Sequence, residues 1–199
     1  MFQTALLSLI LPIYGQPSCR INGGNQRRTH GMKALILAAE GFEDLEVHMM
    51  WYRLLEDGIQ VYIASPSGMV VTGLHGYRID PDLALREINP NEFEMLVLPG
   101  GAASERLRQR EEALDLARTF LEEGKRVVAI GRGAQILISA GAINNRRVTC
   151  AEAIRDDVKA AGASYCDEPV VVDNNLVTCA HAEDMPCLFR TIMPLLTVA

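Results

Sequence analysis

No run in this sequence approaches the roughly 18 apolar residues that a membrane-spanning helix needs, and its cysteines include no C-x-x-C pair. The first lack argues against a membrane partner. The second, with an odd set of five (Cys19, Cys150, Cys166, Cys179 and Cys187), argues against a zinc ribbon or a disulfide framework. Free thiols in a reducing cytosol fit better, so the protein is expected to be cytoplasmic. A basic excess is also missing: 19 Lys and Arg stand against 25 Asp and Glu, a net charge of −6. That leaves no basic face for nucleic acid. There is no internal repeat and no interdomain linker after Met32, so the 199 residues read as one domain.

What is present is material for a core. Hydrophobic residues make up 49% of the chain, and a domain of this size buries about 70% of its unfolded surface. Residues 1–31 stand apart. Ala5 to Ile13 is a short apolar run interrupted by Pro12, and the first basic residue is Arg20. A secretory signal would carry its basic residues ahead of the apolar run. Gln16 to Gly31 is polar and rich in Gly, Asn and Arg, a disordered composition. The segment is expected to be a disordered leader or a start artefact, with the domain spanning residues 32–199.

From Lys33 onward strand and helix patterns alternate. Ala34 to Ala38 reads as a buried parallel strand. Asp44 to Asp57 carries Leu45, Met49, Leu54 and Leu55 near helical spacing, with Gly58 as a stop. Further strands are expected at Val61–Ala64, Met95–Leu98 and Val127–Ile130, and helices at Glu111–Glu123 and Ala134–Ala140. Met69 to Asp80 reads as a small hairpin. Val170–Val172 and Leu176–Thr178 flank Asn174-Asn175 as a second hairpin. A last helix starts near Glu183 and is expected to end at Pro194. This alternation implies an α/β fold with a mainly parallel sheet and helices on both faces.

Ligands in such folds bind at the carboxyl ends of the strands. Three segments fall there: Glu40-Gly41-Phe42-Glu43, Pro99-Gly100-Gly101 and Gly131-Arg132-Gly133. In the third, an apolar strand turns into a helix within about three residues, the geometry of a nucleophile elbow. Gly100 and Gly101 leave a second loop open for backbone N–H groups to approach the same point. Gly131-Arg132-Gly133 also begins a G-x-G pattern, but Ile136 stands where a dinucleotide fingerprint has its third glycine. No cofactor is expected.

Several blocks, in order, resemble the ThiJ/PfpI (DJ-one) superfamily, and within it the PfpI-like intracellular proteases. They are Lys33-Ala34-Leu35-Ile36-Leu37, Phe42-Glu43-Asp44-Leu45-Glu46, His75-Gly76-Tyr77, Leu96-Val97-Leu98-Pro99-Gly100-Gly101, Gln135 to Gly141 and Ile154-Arg155-Asp156-Asp157. The resemblance implies a three-layer α/β/α sandwich, flavodoxin-like or class I glutamine amidotransferase-like, and a homo-oligomer. It implies peptidase, amidase, glyoxalase or deglycase activity, attributed in the family to an elbow cysteine. The family elbow reads Ala-Ile-Cys-His-Gly-Pro-Gln; this chain reads Ala129-Ile130-Gly131-Arg132-Gly133-Ala134-Gln135. On that match Gly131 holds the nucleophile position. Glu43 matches the acidic residue that sits against the family cysteine, and Glu105 matches a glutamate that reaches a neighbouring subunit's site.

The expected function is therefore a family member that has lost cysteine-dependent turnover and keeps a pocket for a small anion or carbonyl compound. Gly100, Gly101, Gly131 and Arg132 are the candidate binding residues; Glu43, Glu105 and Arg132 are the candidates at the catalytic position. Glycine at the elbow suits a positive φ. Two readings stand for Arg132: it binds a carboxylate or phosphate, or it pairs with Glu43 or Glu105. Glu43 itself is either a pocket carboxylate or the acidic first turn of a helix. The alternative function is an active hydrolase or lyase that uses Glu43 as general base, or Cys150 with His181 as a relocated nucleophile. Buried Cys150 packing as a small hydrophobe is the competing reading. A metal site from Cys150, Cys179 and His181 has no ligand spacing to support it. His48 reads as a satisfied histidine and His75 as a backbone-bonding one.

Overall fold

Apolar runs too short for helices become the middle of the sheet. The computed structural model describes residues 31–196, so the leader reading and Cys19 lie outside the described residues. Strand β1 (Lys33–Leu37) opens the domain, buried from Ala34 onward. Helix α1 (Asp44–Glu56) follows, then β2 (Gln60–Ser65), an antiparallel hairpin of β3 (Val71–Thr72) and β4 (Arg78–Ile79), and β5 (Leu83–Ala84). The middle of the chain forms β6 (Met95–Leu98), α2 (Ala103–Leu107), α3 (Glu111–Glu122), β7 (Arg126–Ile130) and α4 (Ala134–Ser139). The last third forms β8 (Arg147–Val148), α5 (Arg155–Ala160), β9 (Ser164–Tyr165), β10 (Val170–Asp173), β11 (Leu176–Cys179) and α6 (Met185–Leu196).

Seven strands share one sheet in the order β10-β11-β7-β6-β1-β2-β5. Every neighbouring pair is parallel except β10 with β11, which close a hairpin at one edge. The chain moves from β1 to β2 in one direction and from β6 to β7 in the other. Right-handed crossovers running in opposite directions put α1 and α3 on opposite faces, which gives the expected α/β/α sandwich. The central strands are buried on both sides, and for that reason read as continuous apolar runs. Strand order reverses between β1 and β6, the place where such sheets open a crevice.

Three local features differ from expectation. Leu45, taken as part of the apolar face of α1, is exposed, and Val47, Met50 and Leu54 form the buried face instead. Pro194 does not end α6, which continues to Leu196. A proline this close to a helix end removes little beyond its own N–H bond. Strand β5 and helices α2 and α5 escape the sequence reading because two to six residues carry too little periodicity. Among the described residues no helix is long and apolar enough to cross a membrane.

Candidate functional site

The loops after β1, β6, β7 and β11 meet around an open pocket of about 650 Å³. Its lining includes Glu43, Glu46, Gly101, Gly131, Arg132 and His181. The elbow has the expected backbone: Gly131 lies at φ +54°. Gly133 lets the elbow press on the end of β6, since a Cβ there would fall 1.9 Å from the Leu98 carbonyl oxygen. Gly101 (φ +77°) is required for a similar reason. The chain from Gly41 to Glu43 crosses directly over it, and a Cβ would meet the Gly41 oxygen at 2.5 Å.

The acidic residue against the elbow is Glu46, not Glu43. A Cβ built on Gly131 would lie 3.2 Å from Glu46 Oε1. Glu46 is buried, and its Oε2 accepts a 2.5 Å hydrogen bond from the Gly100 N–H. Burial raises its pKa from the ordinary 4.5 to about 7, the Gly100 N–H opposes the rise, and the charge of Glu43 adds to it. Glu43 sits at the N-cap of α1 and lines the pocket further out, with His75 Nε2 3.5 Å from its Oε1. The physical reason is helix phase. Glu46 lies in the first turn of α1 on the buried face it shares with Met50 and Leu54, whereas Glu43 precedes that turn as the N-cap.

Gly100 also departs from expectation. Its N–H is spent on Glu46, so it supports the carboxyl group rather than a ligand, and it does not line the pocket. Asp44, which the sequence reading passed over, organises the flap beside the pocket. Its buried carboxylate accepts the backbone N–H groups of His75 (2.8 Å) and Tyr77 (3.0 Å). This leaves Leu74 at the rim, and it shows His75 bonding through its backbone while its ring faces Glu43. His48 donates from Nδ1 to the Asp44 carbonyl at 2.8 Å, but its buried Nε2 has no hydrogen-bond partner among the described residues, so it is only half satisfied there.

Arg132 is exposed at the mouth and pairs with neither Glu43 nor Glu105 among the described residues. Glu105 is exposed outside the pocket, where it accepts a 2.5 Å bond from Gln135 Nε2. Cys150 is buried and absent from the lining, although its neighbour Ala151 is present and donates its N–H to the Gly131 carbonyl at 3.2 Å. Burial, with the charge of Asp157 beside it, pushes the Cys150 thiol up to about 11. That is opposite to what a thiolate nucleophile needs. His181 lines the pocket, so the structure does not bring Cys150 and His181 together there. The segment just after β8 runs inside the protein: Thr149 and Cys150 are both buried, and the Thr149 backbone N–H donates to Thr178 Oγ1. The four described cysteines are free, and among the described residues no three His, Cys, Asp or Glu side chains could hold a metal ion.

The chain is similar in sequence and fold to known proteins. The sequence pattern of the DJ-1/PfpI family matches residues 32–195. A deglycase from Thermococcus kodakarensis is 47% identical over 165 residues, covering 83% of this chain and 99% of the relative. Protein/nucleic acid deglycase 2 of Escherichia coli is 36% identical, covering 82% and 97%. Among solved structures, Drosophila melanogaster DJ-1beta superposes with a TM-score of 0.79 at 26% identity, covering 85% of this chain and 92% of that one. A two-domain protein from Anabaena variabilis, with DJ-1/ThiJ/PfpI-like and ferritin-like domains, gives 0.81 at 29% identity over 83% of this chain and 48% of that one.

Proposed function

The chain belongs to the DJ-1/PfpI family, and from that premise we propose that its pocket takes a small carbonyl compound or carboxylate without any thiol of its own to attack it. The substrate class comes from the relatives that are deglycases. The observation that carries the reading is the pair at the two ends of the pocket. Glu46 is a buried carboxyl group facing the elbow, and Arg132 is an exposed guanidinium at the mouth with no ion-pair partner among the described residues. A neutral carboxylic acid donates to a carbonyl oxygen, and a guanidinium takes a carboxylate in a bidentate grip. Glycine brings no nucleophile, and the thiols of Cys150 and Cys179 are buried and held protonated.

Titration calorimetry with glyoxylate, which carries both groups, tests the pocket. The native chain is expected to bind it, and Arg132→Ser should weaken binding about tenfold, the loss of one charge-assisted pair. Equal affinity in the two proteins would remove Arg132 from the site. Loss of Cys150 cannot matter to this reading, because its sulfur lies outside the pocket.

The proposal includes a homo-oligomer. Leu45, Tyr52, Leu74 and Tyr77 are large exposed side chains on α1 and the neighbouring flap, and exposed apolar clusters of this kind mark interaction surfaces. Light scattering should give a mass at least twice that of the 21.9 kDa chain. A strict monomer would remove any role for Glu105 in a neighbouring site.

A further inference from the structure

The space that a side chain at position 131 would take is bounded on one side by a carboxyl oxygen with no hydrogen-bond donor. Glu46 Oε2 is tied to Gly100, while Oε1 faces the elbow and receives no bond from the described residues. The pocket lining mixes alkyl side chains, Ala102, Ala151 and Ala182 with Leu74 at the rim, with polar ones, Arg132 and His181 among them. The cavity of about 650 Å³ far exceeds the roughly 30 Å³ of one water. That volume has room for a small carbonyl compound and a second small molecule together. That second molecule must be short, partly apolar to lie on the alanine methyl groups, and able to give a proton to Oε1.

We propose that the space above Gly131 binds a low-molecular-weight thiol, which serves as an external nucleophile for the carbonyl compound, with Glu46 as the group that moves the protons. The inference rests on the carbonyl-pocket reading above. With an α-oxoaldehyde the steps balance as follows. The thiol sulfur bonds to the aldehyde carbon, the C=O π bond breaks, and the S–H proton passes by way of Glu46 to the carbonyl oxygen. Glu46 then takes the C–H proton of this hemithioacetal and returns a proton to the adjacent carbon, while the hemithioacetal hydroxyl gives up its proton to become the thioester C=O and the neighbouring ketone oxygen takes one to become the hydroxyl. The result is the thioester of a 2-hydroxy acid. Water cleaves the thioester to the 2-hydroxy acid and regenerates the thiol. Nothing is oxidised or reduced overall, because the aldehyde carbon is oxidised while its neighbour is reduced. A group that titrates near neutrality is suited to both proton transfers.

The test follows lactate formed from methylglyoxal by proton NMR, with 2-mercaptoethanol as the thiol. Without thiol the native chain is expected to match the buffer blank. With thiol the rate should rise to a plateau at least tenfold above the thiol-containing blank, about the lower end of what a positioned acid–base group supplies. Glu46→Gln should return it to that blank. Gly131→Ala, whose methyl enters the proposed site, should raise the half-saturating thiol concentration severalfold or abolish the rate. A native rate already present without thiol would assign the attack to water and overturn the proposal. So would a thiol-containing rate equal to the blank, or one that is linear in thiol and unchanged by Glu46→Gln. Glyoxylate titration on the same samples separates the failures. Retained binding without thiol-dependent turnover sinks this inference alone, and loss of both removes the pocket reading as well.

Discussion

Gly131→Cys is expected to fold and to consume methylglyoxal without added thiol on the order of 100-fold faster than the native chain, a conservative share of what a tethered nucleophile contributes. The space for it exists. A Cβ at 131 meets only Glu46 Oε1 at 3.2 Å and the Ala180 carbonyl oxygen at 3.7 Å, so the carboxyl group must yield by a few tenths of an ångström. Backbone strain opposes the change, because φ +54° costs a non-glycine residue about 1–2 kcal/mol. The new sulfur would emerge beside Glu46 and near the Arg132 cation. A protonated Glu46 hydrogen-bonds the thiolate, and Arg132 stabilises its charge, so the thiol should titrate below the free value of about 8.5. Alkylation by iodoacetamide at pH 7 reads this directly. Cys150 and Cys179 are buried with thiols raised to about 11 and 12, and the native chain, which shares Cys19, Cys166 and Cys187, is the reference from which the added alkylation is read. Combining the change with Glu46→Gln should abolish the gain. A thiol at 131 that titrates at the free value would mean that the carboxyl group and Arg132 do not act on this point.

The same elbow shows why some of the protein is legible in its sequence and some is not. β1, β6 and β7 are readable because each is buried on both faces, so local composition records their surroundings. The positive φ of Gly131 is readable because a strand-to-helix turn this short leaves few conformations. Glu46 is different. In the sequence it is one of two glutamates at the start of a helix, where acidic residues are favoured anyway. Its burial depends on the loop at Gly100, 54 residues away, closing on it with an N–H bond. Periodicity from position 44 onward cannot say which glutamate faces the sheet until the helix phase is fixed, and exposed Leu45 misleads on that phase. Cys150 fails for a related reason: the inward turn of Thr149 and Cys150 is set by β11, through Thr178. The fold thus follows from local pattern. The chemistry follows from contacts between distant loops, for which the sequence carries residue types but no distances.

Replacing Glu46 with glutamine should stabilise the protein in a pH-dependent way. The folded chain holds the Glu46 proton up to about pH 7, whereas the unfolded chain releases it near 4.5. Between those values the folded state binds more protons, so Glu46 makes stability fall as pH rises. Below about 4.5 the carboxyl is neutral in both states and the penalty is absent; above 7 it is complete. From the two pKa values the loss between pH 5 and pH 8 is about 2–3 kcal/mol. Glutamine does not titrate, and its side-chain oxygen can still accept the Gly100 N–H. Groups that do not feel Glu46 titrate alike in the two proteins and cancel in the difference, and the coupling to Glu43 is part of the effect measured. Urea unfolding at pH 5 and pH 8 should therefore show the variant gaining about 2–3 kcal/mol over the native chain across that interval. A difference that stays constant with pH would mean that Glu46 ionises as an ordinary surface carboxylate. Glu46 would then not be the group that holds and releases a proton near neutrality. The direction of the effect also bears on function, since the native chain keeps at the elbow a carboxyl group that costs it stability at neutral pH. Selection for folding alone would favour the amide, so an acid at position 46 is what the proposed proton-transfer role requires.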